Sequence, residues 1–131
     1  MKILKLTVLF MLALSTLALA NDPLPFGVNL GDQAAQRKEG VDTHAVFVAP
    51  VASNAMMSVS GVEGQIIVNI FPSKEDGTVV NQAAQPLILL FDAKESKAIS
   101  QNMQGKAPAA GWYLANVVGG GNTSRVVFQV K

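Results

Sequence analysis

Apolar and polar positions along the chain fall into short runs, and the first run differs from the rest. Leu6 to Leu14 reads Leu-Thr-Val-Leu-Phe-Met-Leu-Ala-Leu, preceded by Lys2 and Lys5 and followed by the triplet Ala18-Leu19-Ala20. A basic start, an apolar stretch and a small-x-small triplet form the pattern of a secretory signal, with cleavage expected between Ala20 and Asn21. The 15 residues from Leu6 to Ala20 fall short of the roughly 20 that a bilayer-spanning helix needs. The expected organisation is therefore a signal peptide over 1–20, an extended leader and loop over 21–42, and a β domain over 43–131.

Beyond the signal, the period of apolar positions is two rather than 3.6. Phe26–Leu30 reads as a first short strand. His44–Val48, Ala55–Val59, Gln65–Phe71, Leu87–Phe91, Trp112–Val118 and Arg125–Val130 read as six more. Gly, Pro, Asp and Ser clusters separate them, notably Ser73–Gly77, Asp92–Ser96 and Gly119–Ser124. Short strands spaced by turn residues predict an all-β sandwich of about seven strands. Gly31–Gly40 is polar and reads as a loop, since it offers too little apolar surface to pack a helix.

The last two strands carry the most information. Alternation puts Val126, Phe128 and Val130 on one face with Tyr113, Ala115 and Val117. Pairing Val118 with Arg125 would set Ala115 opposite Phe128 and Tyr113 opposite Val130. The other face then carries Trp112, Leu114, Arg125, Val127 and Gln129, an aromatic and aliphatic set ringed by polar groups. Those five residues are the expected contact surface of the domain.

This ending, Ala110-Gly111-Trp112-Tyr113-Leu114-Ala115, then Gly119-Gly120-Gly121, then Arg125-Val126-Val127-Phe128-Gln129-Val130, resembles the final two strands of bacterial immunoglobulin-like domains. In those, a proline and glycine precede a tyrosine strand, a Gly-rich turn follows, and valines alternate with phenylalanine. Pro108, Gly111 and Tyr113 fill those places. The resemblance covers about 25 residues and implies an immunoglobulin-like sandwich whose tyrosine hydroxyl bonds nearby backbone. Periplasmic copper-binding proteins of the CopC type share the ending. That family usually carries a histidine at the mature N-terminus, where this chain has Asn21, and the single histidine here is His44.

Charge and candidate chemistry narrow the field. The ten Lys and Arg become eight once Lys2 and Lys5 leave with the signal, against nine Asp and Glu. A near-neutral surface offers no electrostatic case for nucleic acid or anionic lipid. Cysteine is absent, which excludes thiol catalysis, thiolate metal sites and disulfides. Met56 and Met57 are thioether candidates for Cu(I) beside His44, but adjacent strand residues face opposite ways, so at most one can join it. No Gly-x-Ser-x-Gly or Ser-x-x-Lys pattern supplies a nucleophile. Glu75, Asp76, Asp92 and Glu95 lie in turn segments, as solvated turn residues do. Gly119-Gly120-Gly121 sits between strands and is hairpin chemistry, not a phosphate loop. Asn122-Thr123-Ser124 fits the N-glycosylation sequon in form.

The expectation is thus a periplasmic or extracellular, non-enzymatic domain without cofactor or metal, acting by surface contact with a protein or a cell-envelope component. A small copper carrier and a subunit of a surface filament are the alternatives.

Overall fold

A computed structural model describes residues 22–131, so the expected signal helix lies outside the described residues. The described chain is all-β, with no helix among its residues. Ten strands run in order as β1 (Gly27–Leu30), β2 (Gln33–Ala34), β3 (Gln36–Arg37), β4 (Ala45–Val46), β5 (Met56–Ser60), β6 (Gln65–Pro72), β7 (Leu87–Asp92), β8 (Lys97–Ala98), β9 (Gly111–Gly119) and β10 (Asn122–Val130).

They form two layers: a four-stranded sheet, β2-β1-β5-β8, and a six-stranded sheet, β3-β4-β10-β9-β6-β7. All pairings between these strands are antiparallel except one: β4 runs parallel to β10, with Ala45 beside Val126 and Val46 beside Val127. An isolated bridge, Val51 to Val130, prolongs the parallel contact. The chain thus passes between sheets at Ala35, leaving β2 in one layer and entering β3 in the other.

Alternation explains the core. In β6, Ile66, Val68 and Ile70 turn inward between exposed or half-buried neighbours, and in β7 Leu89 and Phe91 do the same. They meet Val28, Leu30 and Met57 from the facing sheet. Residues 22–42 are not peripheral to this arrangement. Leu24, Phe26, Val28 and Leu30 belong to the core, and β1 pairs along its whole length with β5. Ser124, fully buried, donates its hydroxyl to the Phe26 carbonyl at 2.8 Å and accepts from the Phe26 amide at 3.3 Å. The segment expected as leader and loop therefore supplies three strands, two of them short enough that no apolar pattern marks them.

The terminal hairpin has the expected faces with a different register. Arg125 opposes Asn116, Val126 opposes Ala115 and Phe128 opposes Tyr113. The shift from the expected pairing is two residues, an even slip, and so the inward set is preserved. The cause is the turn. Only Gly120 and Gly121 lie between the paired Gly119 and Asn122, with φ of +57° and +80°. Two successive left-handed residues make the tight turn whose twist matches a hairpin, and glycine adopts it without strain. Tyr113 stacks on Phe128 with centroids 5.7 Å apart. Its hydroxyl donates to the Ala109 carbonyl at 2.6 Å.

Candidate functional site

The middle of the terminal hairpin breaks the alternation. Tyr113, Leu114 and Ala115 are buried in succession, as are Val126, Val127 and Phe128. Both faces of the sheet must be covered there. On the outer face, register aligns Phe71, Leu114, Val127 and Val46 in one row across β6, β9, β10 and β4. Leu114 is 3% and Val127 1% exposed, so two of the five expected contact residues are packed beneath other groups. Trp112 and Gln129, paired across the hairpin, are half-buried, and Arg125 is exposed.

The cover is the turn after β6. Ser73 bridges to Val79, and the Ser73 amide donates to the Trp112 carbonyl at 2.9 Å. The turn is closed by the Lys74 amide on the Thr78 carbonyl and the Thr78 amide on Asp76 Oδ1, each 2.9 Å. These bonds fold Gly77 down onto the sheet. A Cβ at Gly77 would lie 3.0 Å from His44 Nδ1 and 3.2 Å from Val127 Cγ2. His44 is thereby enclosed at 7% exposure, with Thr43 Oγ1 2.9 Å from its Nδ1. Burial holds the His44 pKa below its ordinary value; Arg125 and Lys38 push the same way, and Asp76 pulls weakly against them. The imidazole is accordingly neutral near pH 7.

The folded-back turn forms one wall of an open groove of about 980 Å³. Residues 36–43 form the opposite wall, and Trp112, Val46 and Phe47 contribute its apolar surface. Glu75 and Asp76 rim one side; Lys38, Glu39 and Asp42 rim the other. Arg37, also at the groove, is held elsewhere: its Nε donates to Asp22 Oδ1 at 2.8 Å and its Nη2 to the Leu24 carbonyl at 2.8 Å. That pairing keeps the Asp22 carboxyl below its ordinary pKa.

The sequence singled out Trp112 and placed it on the outer face. Glu75 and Asp76 were read from it as turn residues, and His44 as a strand-start residue weighed for Cu(I) with the methionines. No local signal joins them to Trp112, because the parallel pairing of β4 with β10 and the turn folded over the sheet bring them together. His44 is not brought to the methionines. It lies on the outer side of the six-stranded sheet, Met57 is fully buried in the core, and Met56 is exposed on the four-stranded sheet. No group of three or more His, Asp or Glu among the described residues is arranged to hold a metal ion.

A smaller open pocket of about 610 Å³ lies at the end of the sandwich near Phe26, Val62 and Gly120. It offers one carboxylate, Glu63, and no aromatic side chain besides Phe26, which is in the core. No protein-family model matches this chain, and neither a curated protein nor a solved structure matches it. What defines the molecule is thus its own architecture, a two-layer β domain with an open groove of mixed polar and apolar lining set on the outer face of its larger sheet.

Proposed function

We propose that this chain is an exported, non-enzymatic, immunoglobulin-like binding domain that engages a cell-envelope component through the Trp112 groove. The observation that carries the reading is the groove itself. It brings Trp112, half-buried with apolar neighbours, into one open site with hydrogen-bonding groups from two separate segments. Its volume lies within the range of about 300–1,000 Å³ typical of ligand sites.

The immunoglobulin-like reading draws support from three features. The short strand β4 runs parallel to the last strand. The first strand pairs with β5 in the opposite sheet. The Tyr113 hydroxyl bonds the backbone four residues upstream, as a corner tyrosine does. Export is argued from residues 1–20. The non-enzymatic reading rests on His44, the chain's one imidazole, being enclosed under Gly77 with Thr43 as its side-chain partner.

Assembly by strand addition finds less support at the β7 edge. The Ile88 amide donates to Gln104 Oε1 at 2.9 Å, the Ile88 carbonyl accepts from Met103 at 2.8 Å, and the Leu90 carbonyl accepts from Lys97 Nζ at 3.3 Å. Backbone groups already engaged cannot template a further strand.

The test uses the single tryptophan as its own reporter. The mature protein is mixed with an envelope fraction from the producing cells, and acrylamide quenching of Trp112 is measured in the sedimented complex. Co-sedimentation with reduced quenching supports the groove. Co-sedimentation with unchanged quenching, or no co-sedimentation, contradicts it.

A further inference from the structure

The chemistry lining the groove restricts what it can hold. Trp112 offers an aromatic face whose π-system is electronegative, suited to the polarised C–H groups on one side of a sugar ring. Around it stand Gln36, Asp42, Thr43, Glu75 and Asp76. A carboxylate accepts two hydroxyls side by side, and an amide or hydroxyl both donates and accepts. This is a set that meets adjacent ring hydroxyls. A lipid or other wholly apolar ligand would leave these carboxylate, amide and hydroxyl groups without partners.

Charge narrows the class further. Glu39, Asp42, Glu75 and Asp76 face Lys38 and Arg37, and Arg37 is already bound to Asp22. Among the lining groups carboxylates outnumber cations, which tells against phosphates, uronates and acidic peptides. A peptide docking by strand addition would need a long free edge, and β3, the edge strand beside the groove, is only two residues long. The groove is open to solvent rather than a closed cavity.

We infer that the groove binds a neutral oligosaccharide, with one sugar ring stacked on Trp112 and its hydroxyls received by Glu75, Asp76, Asp42 and Thr43. This rests on the groove being the contact site proposed above, and it names the ligand class of that site.

The test titrates the mature protein with neutral hexasaccharides of glucose, xylose, mannose and N-acetylglucosamine, with polygalacturonate as an anionic control and a lysine-rich peptide as a rival. Trp112 emission and calorimetry are the readouts. At least one neutral hexasaccharide is expected to shift the emission saturably. By calorimetry, Trp112→Ala is expected to weaken binding by at least about tenfold, and Trp112→Phe by less, since a smaller aromatic face remains. Glu75→Gln, an exposed turn position that leaves folding intact, is expected to weaken it severalfold and keeps the test valid if Trp112→Ala unfolds. Absence of binding by every neutral sugar overturns the inference, as does undiminished binding by Trp112→Ala. Binding of the peptide alone also overturns it. If the sugars fail while envelope material still protects Trp112, the ligand class is wrong and the groove stands. If both fail, both readings fall.

Discussion

At the residue scale, Gly77 and His44 decide the shape of the groove. Gly77 has φ of +86° and lies against His44 and Val127, whereas Gly31, with φ of +61°, has open space where a Cβ would go. Gly31→Ala is expected to cost about 1 kcal/mol from the left-handed backbone alone. Gly77→Ala adds a contact with the ring and is expected to cost more, read by urea unfolding of the two variants side by side. His44 gives a pH dependence with a definite sign. Its folded pKa lies below its unfolded value, with burial as the main cause. The folded state therefore binds fewer protons than the unfolded state in the interval between them. The stability it contributes is present above the ordinary histidine pKa of about 6.5 and is lost as pH falls through the folded value. Melting temperature is expected to drop from pH 7 to pH 5, and His44→Gln is expected to flatten that drop.

At the element scale, the strands were legible in the sequence wherever apolar alternation was strong. Gln65–Phe71 and Leu87–Phe91 were each anticipated to within one residue of β6 and β7. The two-residue strands β2, β3 and β8 were not, since Gln33-Ala34, Gln36-Arg37 and Lys97-Ala98 are polar or small and owe their extended form to neighbours. The inward face of the hairpin was readable from period two alone. Its register was not, because a run of three glycines allows more than one turn. Nor could the burial of Val127 be read, since Gly77, which lies against it, is far away in sequence. The β7 edge yields a prediction at this scale. Gln104→Ala removes the acceptor for the Ile88 amide, exposing an unpaired donor on an apolar edge. It is expected to cost about 1 kcal/mol and to raise self-association, seen by light scattering at increasing concentration.

At the scale of the whole molecule, a cysteine-free domain of this size depends on apolar packing between two sheets. The N-terminal segment is part of that packing. Leu24, Phe26, Val28 and Leu30 fill the core, and Ser124 fastens Phe26 across a long sequence separation. A protein starting at Gly31 is expected to lose cooperative unfolding in circular dichroism, while one starting at Asp22 keeps it. The larger sheet also leaves a second feature on its outer face. Ile67 and Val118, paired across β6 and β9, are 40% and 36% exposed. This aliphatic patch is separated from the Trp112 groove by the Asn69–Asn116 pair and the covered row of Leu114 and Val127. The two regions are distinct surfaces, and ligand binding should discriminate between them.

Amide chemical-shift mapping of the ¹⁵N-labelled domain during titration with solubilised envelope glycans makes that discrimination directly. The account predicts that the lone indole signal moves together with the amides of Asp42, Thr43, Glu75 and Asp76, while those of Ile67 and Val118 stay in place. Shifts centred on Ile67 and Val118, or on Val62 and Gly120, with the indole signal unmoved, would contradict it.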